Sequence, residues 1–355
     1  MNTILQVCAF GAPNPGNFIA SLLSLQAKME KHGYKTVYAF PEKAREKEWC
    51  QLIAENNRVY FLPEAKARIL PKTYQIFKQI YKENQIKIIH SHFELYDIPA
   101  TVMAPKSARI FWHLHDALEE NYRKGTRSRK FLTKIQYGFF GKKAVLLSVS
   151  KAHAHFAETL GFPKNQIYYL PNGINTDRII HIDQKNRTSD FLMFGWDVQR
   201  KGVDLAIEAM HYLKTDQIRI VVVGESECKR YLKDNAVPGI LYQEPVADVN
   251  ELYSKAKAFL HISRAEGLSY ALLEAIYAGL PVICSDIPEN QFARKFRGIY
   301  LKKNEDPIGI AHTIDDVNSQ KLYSKENADY NRSLIEKQYS LNAWGTNLLK
   351  FYLDC

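Results

Sequence analysis

The stretch SRAEGLSYALLEAIYAGLPVICSD, residues 263–286, decides the fold of the second half of the chain. Glu266 and Gly267 lie in a turn, and Ser269 is a suitable N-cap for the helix that YALLEAIYA predicts. A glycine and a proline end this helix, and PVICSD predicts a buried strand. A turn, a helix and a returning strand are typical of a parallel α/β sheet, and the free N–H groups at the start of the helix suit a diphosphate.

The same stretch carries a second carboxylate. Glu266 lies just outside the helix, where it can accept hydrogen bonds from hydroxyl groups of a ligand, and Glu274 lies inside it, where it can bind a diol such as a ribose. The other interpretation is that Glu266 is an ordinary loop carboxylate and Glu274 a solvent-facing charge. A carboxylate near a helix N-terminus also stabilises the helix by about 0.3–1 kcal/mol. On this stretch alone, both interpretations remain open.

A second candidate anion site lies in FGWDVQRKGVDLAIEA, residues 194–209. A predicted strand runs into a glycine-containing turn, Arg200 and Lys201 precede Gly202, and a predicted helix follows. Two adjacent cations at a strand-to-helix turn suit phosphate oxygens, although either could simply be solvated. Taken with the glutamate stretch, they favour phosphate binding.

Strand-like and helix-like runs alternate along the whole chain, which predicts two doubly wound α/β domains facing a central cleft. We place the domains at 1–172 and 173–335, with a final helix over 336–355 that crosses back toward the first domain. Ligands of such sheets bind beyond the carboxyl ends of the strands. Neither G-x-G-x-x-G nor G-x-x-x-x-G-K-[ST] occurs, which argues against a dinucleotide oxidoreductase and a P-loop ATPase.

Composition narrows the setting of the protein. The chain has 355 residues, of which 46% are hydrophobic and 24% charged, and its five cysteines are scattered without a C-x-x-C pair. We expect no disulfide framework and no zinc site, and a soluble protein of the reducing cytoplasm without a signal peptide or membrane span. The net charge of +10 predicts an anionic partner. Nucleic acid is not predicted, because no recognition module accompanies the basic residues.

Five stretches together resemble glycosyltransferase family 4, the retaining group 1 enzymes with the GT-B fold. They are NPGNF near the start, HLHD at 113–116, YLPNGIN at 169–175, FGWDVQRKG at 194–202 and EGLSYALLE at 266–274. The last of these matches the E-x7-E motif of the family. The resemblance spans nearly the whole chain and is strongest from Leu170 to Asp286.

The resemblance implies roles for the matching positions. Three residues are implied in catalysis: His115, Glu266 and Lys201, with His113 as the neighbouring alternative to His115. The donor would be bound by Gly16, Arg200, Lys201, Glu266, Gly267, Leu268, Ser269 and Glu274. In this assignment Glu266 contacts hydroxyls of the donor sugar, Glu274 the ribose, and Lys201 the diphosphate. The family usually has arginine directly after the motif glycine, whereas this chain has Trp196. Either Arg200 replaces that charge or Trp196 stacks on the ligand.

The implied reaction moves a sugar, with retention of its anomeric configuration, from a nucleotide-diphosphate sugar to a hydroxyl of a glycan or polyprenyl-diphosphate-linked acceptor in bacterial surface polysaccharide synthesis. We expect a UDP-sugar rather than a GDP-sugar. No cofactor and no metal are expected, since a helix N-terminus and Lys201 would offset the diphosphate charge. A catalytically silent partner subunit that binds nucleotide sugar or glycan, and a nucleotide-sugar epimerase of related fold, are the alternatives.

A basic segment, NYRKGTRSRKFLTKIQYGFFGKK at 121–143, interleaves cations with aromatic residues. Such a segment suits an anionic membrane surface, with Arg127, Arg129 and Lys130 as the central cations. It suits equally a helix that packs its aromatics into the first domain. The resemblance favours the membrane, because similar enzymes extend lipid-linked glycans at its cytoplasmic face. We therefore expect a cytoplasmic protein that binds peripherally to the inner face of the cell membrane.

Overall fold

The computed structural model describes residues 2–180, 190–246, 248–319 and 324–353, which form two compact units. The first unit runs to Gly173 and includes the segment from Leu341 onward, and the second runs from Ile174 to Ser340. The boundary predicted at 335/336 is wrong in detail, because it falls inside one continuous helix, Lys325–Tyr339. The break comes at Ser340, whose extended backbone ends that helix before the next one begins.

The first unit is built on a seven-stranded, all-parallel sheet. Its strands are β1 (Asn2–Cys8), β2 (Tyr34–Pro41), β3 (Arg58–Leu62), β4 (Ile86–His92), β5 (Arg109–Leu114), β6 (Val145–Ser148) and β7 (Ile167–Tyr169), in the order β3-β2-β1-β4-β5-β6-β7. Its helices are α1 (Gly16–Glu30), α2 (Glu48–Asn56), α3 (Pro71–Glu83), α4 (Asp97–Val102), α5 (Leu118–Lys124), α6 (Arg127–Gly138) and α7 (Lys151–Thr159).

The central strands of this sheet are buried on both faces, as helices on both sides require. Leu5, Ile89 and Trp112 belong to one apolar cluster, and Ile4 and Ile88, from the alternate positions of the same strands, belong to another. The last helix of the chain, Leu341–Leu353, contributes its buried residues Trp344, Leu348 and Tyr352 to the second cluster. The chain therefore completes its first unit with its last helix.

The second unit has a six-stranded parallel sheet in the order β10-β9-β8-β11-β12-β13. Its strands are β8 (Asp190–Phe194), β9 (Arg219–Val223), β10 (Ile240–Gln243), β11 (Ala258–His261), β12 (Val282–Ser285) and β13 (Ile299–Lys302). Its helices are α8 (Val198–Lys201), α9 (Val203–Met210), α10 (Ser226–Asp234), α11 (Asn250–Lys255), α12 (Tyr270–Tyr277), α13 (Pro307–Ser319) and α14 (Lys325–Tyr339), and the last helix of the chain is α15 (Leu341–Leu353). Sequence analysis missed β13, a half-buried edge strand without a long apolar run.

Each sheet reverses its strand order once. The reversal lies between β1 and β4 in the first unit and between β8 and β11 in the second. α/β sheets bind ligands beyond the carboxyl ends of the strands at such a switch point. A ligand site is therefore expected at the segments that follow β1, β4, β8 and β11. Among the helices within the described ranges, none is both long and apolar enough to cross a membrane.

Candidate active site

A buried ion pair lies at the switch point of the second unit. The segment after β8 supplies Lys201 and the segment after β11 supplies Glu266, and the Lys201 Nζ donates to Glu266 Oε1 at 2.5 Å. Their exposed fractions are 4% and 5%. Residues that are far apart in the sequence therefore meet where the strand order predicts a ligand, and Glu266 is buried in an ion pair rather than facing solvent.

The turn that carries Lys201 is fixed by its own sequence. Asp197 caps α8 by accepting a hydrogen bond from the Arg200 N–H at 3.2 Å, and the helix ends at Gly202. Gly202 has a φ of +73°, a left-handed conformation that favours glycine. A Cβ at this position would also overlap the carbonyl oxygen of Ile262. The close approach of the two segments thus requires glycine directly after the lysine.

Arg264 joins the two segments, and sequence analysis did not single it out. Its backbone N–H donates to the Arg200 carbonyl oxygen at 2.8 Å. Its guanidinium contacts both carboxylate oxygens of Asp204 at 2.7 and 2.8 Å and also binds Glu305. Such paired contacts fix geometry as well as charge. Arg264 therefore sets the distance between the segments that carry Lys201 and Glu266.

The surroundings of Glu266 keep it ionised. Burial alone would raise the pKa of its carboxyl group, but Lys201, His261 and Arg200 together outweigh burial and lower the pKa to about 2. Burial also lowers the pKa of Lys201, an effect that Glu266 opposes, and it lowers the pKa of His261 to about 4. At neutral pH the cluster therefore holds a carboxylate, which accepts hydrogen bonds, beside a neutral imidazole.

Glu274 is also buried, with an exposed fraction of 5%, so the interpretation of this residue as a solvent-facing charge is wrong. The Tyr253 hydroxyl donates to Glu274 Oε2 at 3.1 Å, and the Arg178 guanidinium lies 4.0 Å from Oε1. The predicted N-cap of the helix is confirmed, since the Ser269 side chain accepts from the Leu272 N–H at 3.3 Å. Glu266 and Glu274 thus flank the N-terminus of α12.

Arg200 and Trp196 occupy different places around Lys201. Arg200 Nη1 lies 3.5 Å from Glu266 Oε2, and Arg200 Nε lies 3.0 Å from Asp197 Oδ2. Trp196 is half-exposed, with Phe194 against its ring at 5.4 Å, and the Lys201 Nζ lies 4.6 Å from the centroid of the indole. Arg200 therefore joins the charged cluster, whereas Trp196 gives Lys201 a cation–π neighbour.

In the first unit, the segment after β1 leads to Gly16, the first residue of α1. Gly16 has a φ of +53°, and among the described residues outside its own helix and its chain neighbours no atom lies within 4 Å of the position that a Cβ would take. The backbone here is therefore open to a closely approaching ligand.

The structure separates the two candidate histidines. His113 lies on β5 with an exposed fraction of 1%. His115 lies just after the strand and is half-buried, with Phe93 stacked on its ring at 4.6 Å. Only His115 reaches the surface of the unit at the strand ends.

Three buried histidines, His90, His92 and His113, have ring nitrogens within 4.8 Å of one another, a spacing that a metal ion could use. Sequence analysis did not foresee this cluster, because it arises from the pairing of β4 with β5. Both nitrogens of His92 are already engaged, Nδ1 with His115 and Nε2 with Gln6, each at 3.0 Å. The donor set therefore does not favour a metal, and its expected absence stays a prediction.

The basic segment forms the end of α5, all of α6 and the turn after it. Arg127 and Arg129 are exposed, Lys130 is half-buried, and Phe131 and Phe139 are 64% and 66% exposed. Of the aromatic residues in this segment, Tyr137 is buried and Phe140 packs against the core. Packing into the first unit therefore explains Tyr137 and Phe140. Phe131 and Phe139 instead form an exposed apolar surface beside the cations.

Comparison with known proteins assigns the family. The chain matches the description "Glycosyltransferase Family 4" over residues 20–178 and "Glycosyl transferases group 1" over residues 188–319. The chain belongs to glycosyltransferase family 4. This membership confirms the resemblance drawn from the five stretches.

Individual relatives are distant. Lipopolysaccharide glucosyltransferase WaaG of Escherichia coli is 32% identical over 34% of this chain and 32% of its own length. O-antigen chain mannosyltransferase RfbU of Salmonella typhimurium is 26% identical over 44% of this chain and 48% of its own. The chain thus spans about a third to a half of the curated relatives it matches. The solved structure of Anabaena HepE in complex with UDP and glucose has a TM-score of 0.81 at 12% identity, over 99% of this chain and 100% of that one, so the fold is GT-B.

Proposed function

We propose that this family member is an active enzyme that transfers a sugar from a nucleotide-diphosphate sugar to a hydroxyl group of a glycan. The observation that carries the proposal is the buried Lys201–Glu266 pair beside the N-terminus of α12, at the switch point of the second sheet. A cation and the N-terminus of a helix suit a diphosphate, and a carboxylate held in its ionised form suits sugar hydroxyls. UDP-sugar is the proposed donor, since a solved structure of the same fold holds UDP-glucose.

The proposed roles follow from charge. When the bond between sugar and diphosphate breaks, negative charge grows on the leaving phosphate, and Lys201 and the amides of Gly267, Leu268 and Ser269 stabilise it. Glu266 orients the sugar, Glu274 accepts hydrogen bonds from the ribose, and Gly16 leaves room for the diphosphate. Arg200 supplies the second cation. Because these groups are already in place, the charge develops in a preorganised site, and we propose that no metal ion is required.

We propose transfer with retention of the anomeric configuration, from the family resemblance. Glu266 is held in a salt bridge rather than free, which fits an orienting group better than an attacking nucleophile. Nuclear magnetic resonance of the product from an α-linked UDP-sugar, with an acceptor extract from the source cell, would give an α-linkage. A β-linked product would refute this part of the proposal.

The variants that test the site must respect the burial of the pair. Removing one partner leaves an uncompensated buried charge, which costs about 3–5 kcal/mol of stability. Glu266→Gln and Lys201→Met should therefore be compared with the double variant, which carries neither charge. We expect each to lower turnover of UDP-sugar by about 10²–10³-fold, and the double variant to unfold at nearly the wild-type temperature.

The matched control is Lys229→Met, which breaks an exposed pair with Glu244 in the same unit. It should leave turnover unchanged. Near wild-type turnover in the folded double variant would refute the assignment. If the wild-type protein binds UDP-sugar but releases no UDP in the presence of any acceptor extract, the chain is a silent binding subunit. Conversion of the sugar without an acceptor would indicate an epimerase.

For the acceptor, we propose a lipid-linked glycan of the bacterial surface polysaccharide class, met at the cytoplasmic face of the membrane. WaaG and RfbU are by name a lipopolysaccharide glucosyltransferase and an O-antigen mannosyltransferase. The α6 surface (Arg127, Arg129, Lys130, Phe131 and Phe139) combines cations with exposed phenylalanines, as an interfacial helix does. Each cation near an anionic surface contributes about 1 kcal/mol.

Vesicle binding tests the α6 surface. Replacing Arg127, Arg129 and Lys130 by glutamate should abolish cosedimentation with vesicles that contain anionic lipid, while binding of UDP-sugar stays unchanged. The control reverses three exposed cations on α10, Lys229, Arg230 and Lys233. If both triple variants lose vesicle binding equally, the binding depends on net charge and not on the α6 surface. If the wild-type protein does not bind the vesicles at physiological salt, the membrane proposal is refuted.

A further inference from the structure

We infer that Glu94 and Tyr137 are positioning residues that hold the ring of Phe93 against His115. The role of His115 in sugar transfer rests on the proposed function, whereas the contacts that place Phe93 do not. All four residues belong to the first unit, and Phe93 and Glu94 lie in the segment that connects β4 to α4.

This segment has a backbone that its residue types do not favour. Phe93 and Glu94 have φ values of +64° and +55°, and within the described ranges they are the only neighbouring pair of non-glycine residues with positive φ. In the left-handed region the Cβ of an L-residue lies too close to the following carbonyl oxygen, and a bulky side chain is rarely found there. Contacts from the surrounding structure must therefore hold the segment in place.

Contacts of this kind come from α6. The Tyr137 hydroxyl donates to Glu94 Oε1 at 2.6 Å. Gln136 Nε2 donates to the Glu94 carbonyl oxygen at 3.3 Å and to Asp97 Oδ2 at 3.1 Å. Gln136 and Tyr137 have exposed fractions of 0% and 1%, so water does not compete for these bonds. The helix that carries the α6 surface on its exposed side thus holds both the side chain and the backbone of Glu94 with its buried side.

The left-handed turn places the Phe93 ring on His115. The two ring centroids are 4.6 Å apart, with 30° between the ring planes. His113 stacks on the same imidazole at 4.1 Å, and the sheet fixes its place because it lies within β5. Phe93 has no such support from a strand. Its contact with His115 therefore depends on the strained segment and on the bonds from α6.

The position of the Phe93 ring can be read from His115 in the full-length protein labelled with ¹³C-histidine. The ring current of an aromatic side chain shifts the signals of protons that lie over its face, and the His115 signals are assigned by their loss in His115→Gln. Phe93→Leu gives the position of these signals without the ring. Burial lowers the pKa of His115 to about 3, so a change of its charge does not contribute at pH 7.5.

Two substitutions loosen the ring without altering it. Tyr137→Phe removes the donor and Glu94→Ala the acceptor of one hydrogen bond, so both should move the His115 signals part of the way toward their position in Phe93→Leu. Glu94→Gln keeps an acceptor for the hydroxyl and should stay closer to the wild type than Glu94→Ala. The control, Tyr60→Phe, removes the donor of another tyrosine–glutamate hydrogen bond in this unit and should leave the signals unchanged.

A comparison at Glu94 separates positioning from stability. Glu94→Gly and Glu94→Ala both lose the bond to Tyr137, but only glycine adopts a left-handed backbone without steric cost. Glu94→Gly should therefore unfold at a higher urea concentration than Glu94→Ala, whereas both should shift the His115 signals. Wild-type signals in Glu94→Gly, unchanged signals in both Tyr137→Phe and Glu94→Ala, or an equal shift in Tyr60→Phe would overturn the inference.

Turnover of UDP-sugar separates this inference from the proposed function. Displacement of a group by about 1 Å can cost about 10²-fold in rate, so the looser His115 of Tyr137→Phe and Glu94→Ala should lower kcat about tenfold. The KM for UDP-sugar should not change, because the Lys201–Glu266 pair of the second unit is untouched.

Two outcomes distinguish the failures. If the His115 signals shift as expected while His115→Gln turns over normally, the positioning stands and the catalytic role of His115 fails. If His115→Gln is inactive while the shifted variants keep the wild-type kcat, the position of Phe93 has no part in turnover and the inference fails.

Discussion

Mild acid should destabilise the first unit through its buried histidines. Burial lowers the pKa of His90, His92 and His113 well below the ordinary value and that of His115 to about 3. In the unfolded chain each titrates near pH 6.5. Between about pH 7.5 and 5.5 the unfolded chain therefore binds protons that the native unit does not, so stability falls as the pH falls. Each histidine contributes about 1.4 kcal/mol, and the four together about 5.6 kcal/mol.

Asp97 acts in the opposite direction over the same range. Burial raises the pKa of its carboxyl group to about 7, so the native unit takes up a proton there that the unfolded chain binds only near pH 4. Protonation of Asp97 stabilises the native unit by about 2 kcal/mol at pH 5.5. The net loss of unfolding free energy between pH 7.5 and 5.5 is then about 3.6 kcal/mol, since the histidines outweigh the carboxyl group.

Tryptophan fluorescence can isolate the first unit. Of the four tryptophans, only Trp196 lies outside it, so urea unfolding in a Trp196→Phe background reports the first unit alone. His113→Leu should reduce the loss of unfolding free energy between pH 7.5 and 5.5 by about 1.4 kcal/mol. Asp97→Asn should increase that loss by about 2 kcal/mol. His32→Asn, at an exposed position, should leave it unchanged. Equal stability of the wild-type unit at both pH values, or identical losses in all three variants, would refute the reasoning.

Three further predictions concern the second unit. Gly202→Ala should lower the unfolding free energy, measured by urea unfolding, by at least about 1–2 kcal/mol from its backbone angle alone. It should also raise the KM for UDP-sugar in steady-state kinetics. An unchanged KM would show that the segment tolerates displacement of the Ile262 carbonyl. Arg264→Met should impair binding of UDP-sugar in calorimetry, and Arg219→Met, which breaks an exposed pair with Asp190, should not. Trp196→Ala should weaken UDP binding in the same assay more than Trp196→Phe, which keeps an aromatic face for Lys201; equal affinities would exclude the cation–π contact from donor binding.

Local signals predicted the elements that carry the site. The cap at Ser269, the glycine after Lys201 and the apolar runs of β8 and β11 are all encoded within a few residues, so the sequence alone places Glu266 and Lys201 at strand ends. The sequence pattern does not specify that β8 and β11 are neighbours in the sheet. Their pairing follows from the doubly wound strand order.

What the sequence could not predict depends on contacts between distant segments. Arg264 resembles any loop cation until its contacts with Asp204 and Glu305 are known. The cluster of buried histidines likewise appears only when β4 pairs with β5. β13 was missed because an edge strand needs few apolar residues.

The buried pair is better explained by preorganisation than by stability. Desolvation of two charges costs several kcal/mol per ion, which their attraction does not reliably repay, so a salt bridge at 4% and 5% exposure is weak evidence of stabilisation. Its proposed benefit arises when the diphosphate of the proposed donor binds. Lys201 is already paired with Glu266 and flanked by Trp196, so little reorganisation would remain as charge develops on the leaving group of the proposed reaction. The site thus gives up folding free energy to be ready for its ligand, and the charge-free double variant should be the form that retains stability and loses turnover.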